Sequence, residues 1–183
     1  MAVRPAPFGA RAVVVGGTAW NVVAADVDPA WVSAEVAHDP IAAPLNARFL
    51  SALADRVGHE PGTLDNVLVA RPGASDLQLV PAELDHPRVE RALLHRSDVR
   101  VWATPDGAGL LTLGRGVAGR WEVSLEVDPA CRGRGLGAAL ARAARSLVNG
   151  PLWAQVAPAN VASLRAFLAA GYRPVGAEVL FGP

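Results

Sequence analysis

Apolar and polar positions alternate most cleanly in the middle of the chain. VRVWAT (Val99 to Thr104), LLTLG (Leu110 to Gly114) and RWEVSLEV (Arg120 to Val127) are short period-two runs separated by PDGAG and by the turn at Gly116 to Gly119, which predicts a three-strand antiparallel meander. In the third run Trp121, Val123, Leu125 and Val127 share one face, and Glu122, Ser124 and Glu126 share the other. Helical spacing takes over on either side. Leu45, Phe49, Leu50, Leu53 and Val57 predict a helix after Pro44 that Gly58 ends, and Val89, Leu93 and Leu94 predict one that begins near Asp85 with Pro87 in its first turn. After the meander, Leu136, Leu140, Ala144 and Leu147 form the stripe of a third helix, stopped by Asn149, Gly150 and Pro151. A fourth helix opens at Asn160, with Val161, Leu164, Phe167 and Leu168 inward and Gly171 at its end.

The remaining apolar runs read as strands. AVVVGG after Arg11, WNVVAADV before the turn at Asp28 and Pro29, NVLVARPG (Asn66 to Gly73), PLWAQVA (Pro151 to Ala157) and YRPVGAEVLF complete the set. No internal repeat or low-complexity tract interrupts them. Residues 1–85 are less regular than residues 86–183, which places any subdomain boundary near Pro81 to Pro87. At 183 residues, one substantial core is expected rather than two full domains.

Composition narrows the chemistry. Seventeen acidic residues balance seventeen basic ones, so no global field draws the chain to nucleic acid or to an anionic membrane. Every basic residue of that group is arginine; without lysine there is no Schiff-base enzyme and no ATP-binding P-loop, which needs GxxxxGK[ST]. Arginine together with abundant Ala, Gly, Pro and Val points to a GC-rich, bacterial coding bias, which carries no function. Cys131 is the sole cysteine, so an internal disulfide is excluded and a reducing compartment is the simpler expectation. His38, His59, His86 and His95 lack metal-site spacing. No run approaches the roughly 20 apolar residues of a membrane span, and MAVRPAPFGAR is no secretory leader; a cytoplasmic protein is expected.

Chemistry concentrates in DPACRGRGLG, between the third meander strand and the helix that starts near Leu136. A strand, a glycine-rich loop and a helix N-terminus aim free backbone N–H groups at one point, where an anion is favoured. Gly133, Gly135 and Gly137 allow close approach, and Arg132 and Arg134 add permanent charge, so a pyrophosphate is the natural guest. A dinucleotide fingerprint is formally matched by Gly133, Gly135 and Ala138. It requires an acidic residue at the end of the next strand, and PLWAQVA has none; about 25 residues remain after it, too few for a doubly wound sheet.

VDPACRGRGLGAALARAA resembles motif A of the GNAT superfamily of acetyltransferases, the pattern [QR]xxGx[GA] after a strand ending in V-x-P, filled here by Arg132, Gly135 and Gly137. APANVASLRAFLAAGYRPVG resembles the same superfamily's motif B at Asn160, Ser163, Phe167, Gly171 and Tyr172, and the resemblance extends over about Val99 to Phe181. It implies a mixed α/β fold, with a mostly antiparallel sheet flanked by helices and with central strands that splay. It implies acetyl-CoA as cosubstrate and an amine of a small molecule or peptide as acceptor. The main chain of Leu125, Glu126 and Val127 would meet the acetyl and pantetheine end, beside a bulge in that strand. Arg132, Gly133, Arg134, Gly135, Leu136 and Gly137 would meet the pyrophosphate. Asn160 and Ser163 would contact the cofactor, cap their own helix, or do both. Arg142 and Arg145 lie either in solvent or against the ribose phosphate.

An amine must be neutral to attack a thioester, and an ammonium's ordinary pKa is about 10, so a base is required. Glu122 stands about where several family members keep one, and Glu126 lies four residues nearer the thioester, about 13 Å along a strand; a solvated face is the other reading of both. Many relatives protonate the departing thiolate with a tyrosine seven residues after the motif B asparagine, where this chain has Phe167, and Tyr172 falls at a packing position. A catalytically silent CoA-binding regulatory module is therefore the alternative to an N-acetyltransferase. The chain's stop soon after Phe181 leaves two expectations, that a final strand is missing or that the N-terminal strands complete the sheet; an open edge would pair two copies as a homodimer.

Overall fold

The structure is a computed structural model that describes residues 1–83 and 85–182. In chain order its elements are β1 (Ala2–Arg4), β2 (Ala12–Gly17), β3 (Trp20–Ala25), α1 (Pro29–Glu35), α2 (Ala47–Val57), β4 (Pro61–Ala70), β5 (Val80–Pro81), α3 (Pro87–His95), β6 (Ser97–Ala103), β7 (Gly109–Arg115), β8 (Trp121–Val127), α4 (Leu136–Ala144), β9 (Leu152–Val156), α5 (Val161–Ala169) and β10 (Arg173–Phe181). They form two compact units, Met1–Asn66 with Val175–Pro183, and Val67–Pro174. The class is mixed α/β, as the resemblance implied.

In the first unit the strands run β1-β3-β2-β10-β4, parallel at β1/β3 and antiparallel at β2/β3 and β2/β10. Its core is Val14, Val23, Val32, Phe49, Leu53, Val179 and Phe181. α2 follows its expected pattern: Asn46 accepts the Arg48 N–H at the start, and Gly58 takes the left-handed φ of 70° that ends it. β1 and α1 were not anticipated. α1 is seven residues long, and its capping Asp28 and following Pro29 read equally well as a turn.

In the second unit the strands run β4-β9-β8-β7-β6-β5. The meander β6-β7-β8 is antiparallel, and β7 pairs with β8 without a shift from Gly109↔Val127 to Arg115↔Trp121. The bulge expected in β8 is therefore not there; the register shift lies instead between Ser97 and Arg100 on β6. β8 and β9 are parallel and pair only at Trp121↔Leu152 and Glu122↔Trp153, after which the described strands part. This is the splay of the central strands. α4 packs on β7 and β8 over a core of Leu111, Leu113, Val123, Leu140, Leu152, Phe167 and Tyr172.

Two helices turn differently from their predicted stripes. On α3 Leu93 and Leu94 are 62% and 64% exposed, and Ala92 is the buried residue. Arg88, Ala92 and Arg96, spaced by four, make the inward face, because the strand face they meet is polar rather than apolar. On α5 Phe167 is buried and Leu164 packs on the core, whereas Val161 and Leu168 point outward.

Candidate functional site

β8 is the spine of the site. Alternation sends Val123 and Leu125 toward α4 and its core, and sends Glu122, Ser124 and Glu126 to the opposite face, where α3 lies. From Arg88 to Arg96 a helix rises about 12 Å, and from Glu126 to Glu122 a strand covers about 13 Å. The matched lengths let each arginine reach its own glutamate. Arg88 Nε donates to Glu126 Oε2 at 2.9 Å, and Arg96 Nε donates to Glu122 Oε2 at 3.0 Å.

The two carboxylates are in different states of engagement. Glu122 is 3% exposed, and its Oε1 also accepts from Arg120 Nε at 2.8 Å and from the Val117 N–H at 3.1 Å. A solvated face is thus excluded for Glu122. Two glycines make room for this cluster: a Cβ at Gly116 would collide with the Glu122 carboxyl carbon, and one at Gly114 would come within 2.9 Å of Arg96 Cβ. Burial pushes the Arg96 guanidinium down from its ordinary value, and Glu122 pulls it back. Glu126 is about one-third exposed and its Oε1 lies 3.9 Å from His86 Nε2. His86 Nδ1 accepts the Arg88 N–H at the start of α3, so in the neutral ring the proton sits on Nε2 and faces Glu126. Between the two acids, Ser124 Oγ and Thr112 Oγ1 share a 2.6 Å hydrogen bond.

Past Val127 the chemistry passes from side chains to backbone. Gly133 and Gly135 have φ of 75° and 85°, and a Cβ at either would meet nothing within 4 Å. Their glycines answer to backbone conformation, not to crowding. Gly135 is the N-cap of α4, and the first recorded bond of that helix is from Ala139 N to Gly135 O. Among the described residues, the N–H groups of Gly133 to Ala138 have no recorded backbone acceptor, and residues 132–135 are exposed. Arg132 folds back, donating from Nε to Val127 O at 3.1 Å; Leu136 and Gly137 are half-buried.

At motif B, Asn160 is exposed and its Oδ1 accepts the Ser163 N–H at 3.1 Å, so the capping role is present. Arg142 is exposed, as the solvent reading expects, and Arg145 is half-buried; both also bond main-chain carbonyls. Arg142 donates to Ala169 O, and Arg145 donates to Arg71 O and Ala170 O, closing the C-terminal end of α5. Phe167 packs edge-on against Tyr172 with centroids 4.9 Å apart. The Tyr172 hydroxyl donates to Ala141 O and is buried, which raises its pKa above the ordinary 10.0. Neither ring offers a proton. Among the described residues no group of His, Cys, Asp and Glu forms a metal cluster, and no helix is long and apolar enough to cross a membrane.

Residues 81–172 match the family described as Acetyltransferase (GNAT). Several solved structures align with the chain, among them the following three. A GCN5-related N-acetyltransferase from Kribbella flavida has 18% identity over 94% of this chain and 89% of its own, with a TM-score of 0.49. A GNAT-family acetyltransferase from Colwellia psychrerythraea has 8% identity over 90% and 76%, with a TM-score of 0.50, and speaks for the fold alone. For a GNAT-family protein from Novosphingobium aromaticivorans the figures are 22%, 67% and 65%, and 0.48, so this chain spans just under two thirds of that one. No curated protein matches.

Proposed function

Because the chain belongs to the GNAT family of acetyltransferases, we propose that it transfers the acetyl group of acetyl-CoA to an amine. The observation that carries the reading is the run of free N–H groups from Gly133 to Ala138 at the N-terminus of α4, on the strand-loop-helix corner next to the gap between β8 and β9. Such a corner concentrates partial positive charge without a lysine. Arg134 and the amides of Gly133, Gly135, Leu136 and Gly137 hold the diphosphate. Arg132, tied to Val127 O, fixes the corner's shape, and the main chain of Leu125, Glu126 and Val127 lines the pantetheine arm. Asn160 and Ser163, at the start of α5, supply further contacts to the cofactor.

The bound thioester supplies an activated acyl carbon. The amine nitrogen attacks it, the C–N bond forms, the C–S bond breaks, and the ammonium proton must leave. Glu126 is the better placed of the two acids to take that proton: it is partly exposed, and one of its oxygens carries only the 3.9 Å approach of His86. Glu122 has both oxygens committed and acts as a positioning residue through Arg96. With Phe167 and a bonded Tyr172, thiolate departure relies on water or on the Ser163 hydroxyl.

That same pair of rings favours the second reading, a CoA-binding module without turnover. Calorimetry with acetyl-CoA and thiol release across a broad amine panel separate the two. The proposal expects micromolar binding and amine-dependent thiol release. Binding without release for every amine supports the silent module, and no binding sinks both.

A further inference from the structure

The polar face of β8 sets two largely buried arginines, Arg96 and Arg120, on one buried carboxylate, Glu122. Arg120 and the exposed Arg91 both press on the charge of Arg96, which Glu122 offsets. Charge withdrawn from water is costly unless a counter-charge completes it. The Arg96 side chain is 11% exposed and lies across the point where the central strands part. Its Nη1 reaches Ser124 Oγ on β8 at 3.4 Å and its Nη2 reaches Gln155 Oε1 on β9 at 3.5 Å, each two residues beyond the last paired positions, Glu122 and Trp153. Both contacts are long and end on neutral atoms, whereas the Nε bond to Glu122 is 3.0 Å. One edge of the guanidinium is anchored. The other, the two-pronged edge that matches an oxyanion, faces the gap and is held weakly.

Nothing in the proposed transfer uses that edge, since the diphosphate corner lies past the far end of β8 and proton removal falls to Glu126. We infer that the acceptor carries an oxyanion, a carboxylate or a phosphate, on the same molecule as its amine, and that the Nη1/Nη2 edge of Arg96 receives it. Ser124 and Gln155 are the neutral groups that give up or share those N–H donors when the acceptor binds. Purely cationic acceptors such as polyamines have nothing to offer that edge. Arg96 thereby sets acceptor specificity, a deepening that rests on the acyl-transfer reading.

The test compares matched acceptors: amino acids with their primary amides, and aminoalkyl phosphates with the corresponding amino alcohols. Binding of each to the coenzyme A-saturated protein is read by calorimetry, and kcat/KM is measured wherever turnover occurs. The oxyanion member of the preferred pair should win by roughly 10- to 100-fold. Arg96→Gln should erase that margin through KM, costing the oxyanion member far more than its amide or alcohol partner, and Arg96→Lys should recover part of it. Equal binding within every pair, no binding of any oxyanion amine, or an equal loss for both members in Arg96→Gln would overturn the inference. Should Arg96→Gln fail to fold, the wild-type margin and Arg96→Lys decide. Failure to bind coenzyme A at all would be visible in the first titration, and it refutes the acyl-transfer reading rather than the specificity claim.

Discussion

The loop from Arg132 to Gly137 and the polar face of β8 lie at successive stretches of one strand-loop-helix unit, yet they are built on opposite principles. The loop works with backbone: its donors are the amide N–H groups from Gly133 on, which have no backbone acceptor, and Gly133 and Gly135 hold left-handed conformations. The strand face works with side chains: each acid is already paired, Glu122 is almost wholly buried, and glycines 114 and 116 serve only to clear space. A site of the first kind is ready for an anion before it arrives. One of the second kind is locked by its own ion pairs, and only its weakly held outer edge can answer a ligand.

The contrast predicts where damage appears. The largest effect belongs to Glu122→Ala, which leaves Arg96 and Arg120 without their buried counter-charge and should cost roughly 3–5 kcal/mol of stability in denaturant titration. A loss below 1 kcal/mol would mean that the cluster is solvated in solution. Next comes Gly135→Val. A β-branched residue at φ 85° is strained, so acetyl-CoA affinity should fall on the order of 10- to 100-fold while the core of the second unit stays folded; unchanged affinity in calorimetry would break the backbone half of the comparison.

Tyr172→Phe gives the smallest change and adds a pH signature. The hydroxyl ties Tyr172 to α4, the helix that carries the loop, and removing it should cost about 1 kcal/mol at neutral pH. The folded pKa is raised above 10.0, so the contribution of this group is complete below pH 10 and is lost as pH climbs toward the folded value. Wild-type stability should therefore decline above pH 10 with a slope that the variant lacks. Identical slopes would show that the phenol is solvated.

How much of this was legible in the sequence follows the same division. Glycine encodes backbone shape locally, so the loop, its helix start and the end of α2 at Gly58 could all be read from residues a few positions apart. The meander was legible because its turns and its alternation are local too. α3 was misread in orientation: Leu93 and Leu94 suggested an apolar inner face, and only the pairing of Arg88 with Glu126 and Arg96 with Glu122, more than 25 residues away, turns the arginines inward. The matched spacings of eight on the helix and four on the strand were a usable signal. The Arg142 and Arg145 contacts to the end of α5 left no such trace, since a carbonyl partner has no sequence signature. α1 and β1 are simply too short to outweigh the turn signals around them.

The central claim is that a diphosphate settles on the amides that open α4. Amide chemical shifts of ¹⁵N-labelled protein, followed during titration with coenzyme A and separately with pantetheine, test it most directly. The account predicts that Gly133, Arg134, Gly135, Leu136 and Gly137 move strongly with coenzyme A and scarcely with pantetheine, which lacks the diphosphate. Equal shifts with both ligands, or shifts with coenzyme A that leave these five amides still, would contradict it.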